Sequence, residues 1–215
     1  MVSRNYLNNS AQKYVDNDDS NEANKLLDYQ STEAENKLRI EETVRKDDWK
    51  INYGAGIEWA EYTTTTFQKL ENEVTLNYSS EIGVFKYVAF GQVSKGVLSE
   101  RLQLSLGARM DANNFNAHMA NPLNQFSPRL SASYSLSQKM AINFNTGIYY
   151  QLPPYTTLGY RNTAGELVNK DVKYIQSKHV VLGIEYNTSK NARITVEGFY
   201  KHYSNYPMDL LDSIS

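Results

Sequence analysis

The chain has 215 residues, with 22 Lys or Arg against 24 Asp or Glu for a net charge of −2, and no cysteine. These values exclude a basic surface for nucleic acid, and they exclude disulfides, zinc–thiolate centres and thiol nucleophiles. No apolar run approaches the ~18 residues of a transmembrane helix, yet a mean hydropathy of −0.59 leaves room for a transmembrane β-barrel, which faces lipid with only every second residue.

Tyrosine is the compositional outlier, with 17 residues against 2 Trp and 7 Phe. A ring with a polar tip suits a surface that passes from hydrocarbon to water, and it also suits a Tyr-rich soluble β-protein.

Residues 1–25 are rich in Asn, Asp and Ser and lack a period, which predicts a mainly looped segment with a short strand remnant near its start. Within it, the run from Asp16 to Glu22 resembles the opening of a calcium loop. Asn21 stands where that loop needs Gly, and Leu27 where it needs a carboxylate, so a solvated acidic loop is expected and no metal site. The first residues, Met1 to Tyr6, lack the regions of a signal peptide. An outer-membrane protein would need one for export, so either a membrane reading is wrong or the chain is a piece of something longer, and the end Leu210 to Ser215, with no evident stop signal, favours the second.

The stretch 31–46 carries two signals. Thr32-Glu33-Ala34-Glu35 is a capping-box pattern followed by good helix formers. Leu38, Ile40 and Val44, however, share one strand face, with Lys37, Arg39, Thr43 and Arg45 opposite. A short turn at Lys46-Asp47-Asp48 then leads into the next strand, which decides for strand. Trp49 and Trp59 lie on one face of that strand, ten steps apart, with Ile51, Tyr53, Ala55 and Ile57 between them. Tilted by about 40°, ten steps rise roughly 25 Å, the height of a lipid-facing band between aromatic girdles.

Further along, Leu102, Leu104, Leu106, Ala108 and Met110 alternate with polar residues over 101–111. Leu130, Ala132 and Tyr134 repeat the pattern, followed by Met140, Ile142, Phe144, Ile148 and Tyr150, and then by Val180, Leu182, Ile184 and Tyr186. The short connections at 46–48, 98–100, 136–139 and 188–191 take turns with long polar ones near 68–73, 114–126 and 152–171, the last containing Pro153-Pro154 and Gly159. That rhythm predicts an all-β chain of about eight antiparallel strands in an up-and-down barrel, with residues 26–215 as barrel wall.

Chemistry-bearing motifs are sparse. His118, His179 and His202 have no metal-ligand spacing, no G-x-S-x-G marks a nucleophile, and Gly54-Ala55-Gly56 lacks the third glycine of a phosphate cradle. No enzyme and no cofactor are expected, and the two glycines read as close packing on a strand's inner face.

Leu102 to Asp111, carrying Gly107-Ala108-Arg109-Met110-Asp111, is followed after a loop by Ser127-Pro128-Arg129-Leu130-Ser131-Ala132-Ser133-Tyr134. With Gly147-Ile148-Tyr149-Tyr150-Gln151-Leu152-Pro153 and Glu197-Gly198-Phe199-Tyr200-Lys201, this order resembles the barrel of TonB-dependent receptors, in an Asn- and Tyr-rich style like that of the Bacteroidetes. The resemblance implies a 22-stranded barrel in the bacterial outer membrane around an N-terminal plug, contacting outer-membrane lipid. It implies uptake of a siderophore, cobalamin or glycan with energy from the TonB complex. Neither plug nor TonB box is found in this sequence.

By the same resemblance the long loops face outside, with Tyr155 and Tyr160 as loop candidates for ligand contact. Arg109, Asp111, Arg129, Glu185 and Glu197 point into the lumen, where pairing with one another or with the plug is the main expected role. Competing readings are a passive barrel or adhesin, and a soluble carbohydrate-binding β-sandwich.

Overall fold

The structure, a computed structural model, describes residues 1–70, 74–189 and 192–207. Nine strands form one sheet, each hydrogen-bonded to the next in chain order and all antiparallel. They are β1 (Val2–Tyr14), β2 (Lys25–Lys46), β3 (Trp49–Lys69), β4 (Thr75–Val97), β5 (Leu102–Asn113), β6 (Phe126–Ser137), β7 (Met140–Gln151), β8 (Ile175–Ser189) and β9 (Ala192–Ser204). Two single-turn helices, α1 (Ala117–Ala120) and α2 (Tyr155–Leu158), lie in the long connections.

β1 is the strand beyond the expected eight, and it corrects the reading of residues 1–25 as mainly loop. Only 15–24 connects strands. Polar composition hid a thirteen-residue strand because its partner supplies the order: Val2 to Lys13 pair without a break against Leu38 to Leu27 of β2. β2 itself shows the strand reading of 31–46 to be correct, since Lys46 pairs with Trp49 and the ladder runs unbroken to Leu27 and Gln68.

Register defines the two faces, because directly opposed residues point the same way. Trp49, Ile51, Tyr53, Ala55, Ile57 and Trp59 share the outer face, and above Trp59 that face turns polar with Glu61, Thr63 and Thr65. β4 changes at the same level, from Phe85 opposite Trp59 to Glu81 opposite Thr63. The apolar band thus has a defined upper edge, while the sheet continues beyond it.

The strands are staggered as in a tilted barrel wall. One row of partners runs from Lys46 through Trp49, Lys95, Leu104, Ala132 and Phe144 to Leu182. Lys46 ends its strand, whereas Lys95 lies two residues before the end of β4, Ala132 five before the end of β6 and Leu182 seven before the end of β8. A steady offset of this kind is the shear that closes a sheet into a barrel.

The short turns lie at one rim and the long connections at the other. At the first, Leu98, Ser99 and Glu100 all adopt left-handed φ, 56°, 54° and 65°. Of the expected connections, Lys190 and Asn191 at this rim and Glu71, Asn72 and Glu73 at the other lie outside the described residues. On the inner face Gly54 permits a close approach: a Cβ there would stand 2.4 Å from the Ile40 carbonyl oxygen and 2.6 Å from the Phe90 ring.

Candidate functional site

The connection between β7 and β8 does not hang in solvent. Pro153 and Pro154 end β7, and the chain turns through α2 onto the inner face of β2–β4 at the long-loop rim. There Ala60, Tyr62 and Val84 from β3 and β4 enclose Tyr155 and Leu158, with Tyr62, Val84 and Leu158 at most 1% exposed. The Tyr62 and Tyr155 rings stack at 6.0 Å and 23°. This is a small core, built between the wall and a loop that begins several strands away.

Below it sits a charged network that pairing places in one row. Lys37, Glu58 and Lys86 are direct neighbours across β2, β3 and β4, and Glu35 stands two residues above Lys37 on the same face. Lys37 Nζ reaches Glu35 Oε2 at 2.7 Å and Glu58 Oε2 at 3.1 Å. Lys86 pairs with Glu58 and, at 3.3 Å, with Glu35 Oε1. Tyr155 closes the network from the loop: its hydroxyl donates to Glu35 Oε1 at 2.8 Å and accepts from Lys86 Nζ at 2.6 Å. Burial and the hydrogen bond to Glu35 push the Tyr155 hydroxyl well above its ordinary pKa, so it remains a donor.

Two more attachments hold the connection. Arg161 Nε donates to Ser80 Oγ at 3.2 Å, and the Tyr160 ring meets Tyr78 edge-on at 5.9 Å. Asn116 of the β5–β6 loop donates to the carbonyls of Lys170 and Val172, each at 2.9 Å. Asn113 donates to the Tyr174 hydroxyl at 2.9 Å; burial pushes that hydroxyl's pKa up to about 12. The two long loops are therefore joined to each other as well as to the wall.

All five charged candidates from the sequence lie on the inner face by register, but they do not converge. Arg109 and Asp111 form a two-point ion pair along β5, at 2.8 and 2.7 Å. Arg129 lies over the Tyr149 ring at 4.6 Å. Glu185 pairs with Arg193 at 2.6 Å near the short-turn rim, and Glu197 leans over Gly183. Among the loop candidates, Tyr155 is at the centre of the site and Tyr160 at its edge.

Sequence reasoning did not single out Glu35, Glu58 or Lys86. The available signal was the alternation Glu33, Glu35, Lys37, Arg39 on one strand face, which the capping-box pattern obscured. Asp18 of the acidic loop spends its carboxylate on Ser20 N and Asn24 Nδ2, at 3.0 and 2.9 Å. Among the described residues no three His, Cys, Asp or Glu side chains stand together to hold a metal ion.

A family profile described as TonB dependent receptor-like, beta-barrel matches residues 2–214. No curated protein matches the chain. Solved structures similar to it include the copper transporter OprC, with a TM-score of 0.69 and 18% identity over 95% of this chain and 35% of that one. The ferripyoverdine receptor of the outer membrane of Pseudomonas aeruginosa gives 0.65 and 13% over 98% and 31%. A ferric enterobactin receptor from the same organism gives 0.59 and 16% over 94% and 31%. At these identities the likeness is one of fold, and the chain spans about a third of each of these proteins. Matched by the profile over nearly its whole length, the chain belongs to the TonB-dependent receptor β-barrel family, and its place is the outer membrane.

Proposed function

We propose that this chain forms part of the wall of a nutrient-uptake receptor together with the outward loops between its strands, with its long-loop rim facing outside and its short turns facing the periplasm. The observation that carries the reading is the β7–β8 connection, folded onto the inner face and held there by Tyr155 in the Glu35–Lys86 network. A loop fixed inside the mouth of a barrel narrows it and presents side chains to an entering solute.

The transported class is a scarce nutrient, in the form of a metal chelate, cobalamin or a glycan, and the driving partner is the TonB complex. Copper, ferripyoverdine and ferric enterobactin appear in the names of the similar structures and favour a metal or its chelate. The Asn- and Tyr-rich strands and loops favour a Bacteroidetes source. The family is one of receptors and transporters, and the reading contains no enzymatic step.

The test is uptake by cells that carry or lack the gene, offered labelled ferric catecholate, ferric hydroxamate, copper, cobalamin and oligosaccharide in turn. Uptake of one of these should depend on both the gene and a functional TonB. Gene-dependent flux that persists without TonB would make the protein a passive barrel, and unchanged uptake of every probe would remove the transport reading.

A further inference from the structure

We infer that the outer face of β8 and β9 holds a site for one phosphorylated, acyl-chain-bearing lipid of the outer leaflet, with the phosphate on Lys178 and His202 and a chain in the recess beside them. The inference rests on the outer-membrane placement and is independent of what the receptor transports.

Position along the strands supplies the first argument. Trp59 lies ten residues from the short-turn end of β3, Tyr87 ten from that of β4, Phe126 eleven from that of β6 and Tyr150 ten from that of β7. All four face outward by register and make the aromatic girdle at one membrane interface. Asn36 of β2 and Ala112 of β5 stand outward at the same height without a ring, whereas the next two strands place basic side chains there. Lys178, eleven residues from the end of β8, and His202, ten from that of β9, take the girdle positions. They are direct cross-strand partners, so their Cβ atoms stand about 5 Å apart on the same face.

Charge supplies the second. Among the described residues neither Lys178 nor His202 has a hydrogen-bond or ion-pair partner, and no carboxylate lies on the outward face of β7, β8 or β9. Lys95, an outward cation at the other rim, lies instead over the Trp49 ring at 4.6 Å. The Lys178 ammonium beside an imidazole N–H at a membrane interface, with no protein anion against either among the described residues, matches the phosphate of a lipid headgroup.

Shape supplies the third. Beside the pair is a shallow recess of about 650 Å³, floored by Pro128, Thr146 and Ile148 and walled by Leu106, Val180 and Tyr200. The floor presents little polarity, since the Thr146 hydroxyl is spent on the His179 carbonyl at 2.9 Å. A chain running down from a phosphate on Lys178 and His202 enters this recess directly.

The experiment is native mass spectrometry of the full-length protein in detergent, titrated separately with a doubly phosphorylated, multiply acylated glucosamine disaccharide lipid, with its dephosphorylated form and with inorganic phosphate. The phosphorylated lipid should be retained, and the combined Lys178→Gln and His202→Gln variant should weaken it about tenfold. Thr146→Trp, which fills the recess and leaves the charge, should weaken it too, while Lys95→Gln should not. Heat-shifted gel mobility verifies the barrel in each variant, and Lys178→Gln alone replaces the double change if that one misfolds. Equal retention by wild type and the charge variant would overturn the proposal. So would equal retention of the dephosphorylated lipid, an equal loss with Lys95→Gln, or binding of inorganic phosphate as tight as that of the lipid.

Discussion

Tyr155 does two separable things, and a single atom distinguishes them. Its ring completes the small core with Tyr62 and Leu158, while its hydroxyl links Glu35 to Lys86. Tyr155→Phe keeps the first and removes the second, leaving a partly buried carboxylate and ammonium each short of one partner. A hydrogen bond to a charged group contributes roughly 1.5–3 kcal/mol when it is lost from one side only. The connection should therefore detach more readily, by about that amount, while the barrel melts as before. Amide exchange across 155–160 in the full-length protein is the measurement, and unchanged protection would show the hydroxyl to be idle. Leu98 offers a test of opposite sign. An aliphatic residue at φ 56° is held where L side chains cost roughly 1–2 kcal/mol, and it sits in an exposed turn. Leu98→Gly is expected to stabilise the protein by about 1 kcal/mol, reduced by the extra freedom glycine gives the unfolded chain. Urea unfolding in lipid vesicles reads this directly.

At the scale of single strands, β3 carries its own ruler of depth. Ala55 lies midway in the Trp49–Trp59 band, and Thr63 lies on the same face beyond its edge. Ala55→Lys should cost about 2–4 kcal/mol in a bilayer, and Thr63→Lys close to nothing, because the penalty for a lipid-facing cation falls with distance from the midplane. Equal costs at the two positions would deny that this face meets lipid. The same strand shows how much of the fold was legible in the sequence. Its alternation, its two Trp and its short turn were all readable, because a half-buried strand writes its environment in a period of two. β1 was not readable, since Asn and Ser on both faces, with Arg4, Asn8 and Gln12 flanking Tyr6 on the outer one, leave no apolar side to detect, and only the Val2 to Leu38 register reveals it. The candidate site was legible in the same uneven way. The inward direction of Arg109, Asp111, Arg129, Glu185 and Glu197 follows from local parity, but the meeting of Glu35, Glu58, Lys86 and Tyr155 depends on register across three strands and on where a loop of over twenty residues comes to rest. Neither quantity is encoded locally.

For the whole molecule the governing fact is that β1 and β9 each have a partner on one side only. The sheet carries the stagger of a barrel wall without closing on itself, and two rows of backbone donors and acceptors at its edges remain open to other chains. Its outer face adds a continuous band of apolar side chains, including Leu106 at 65% exposed, Leu182 at 56% and Val196 at 69%, which exceeds the apolar patch a soluble monomer tolerates. A soluble β-sandwich would bury this face against a second sheet, and the described residues form a single sheet. The 215-residue chain expressed alone is therefore expected to be β-rich in detergent, associated there through its open edges, and aggregated in plain buffer. Far-UV circular dichroism with sedimentation in both media decides the matter. A compact monomer in buffer would mean that the outer face is covered in a way this sheet does not provide, and both the lipid-facing surface and the receptor wall would have to be given up together.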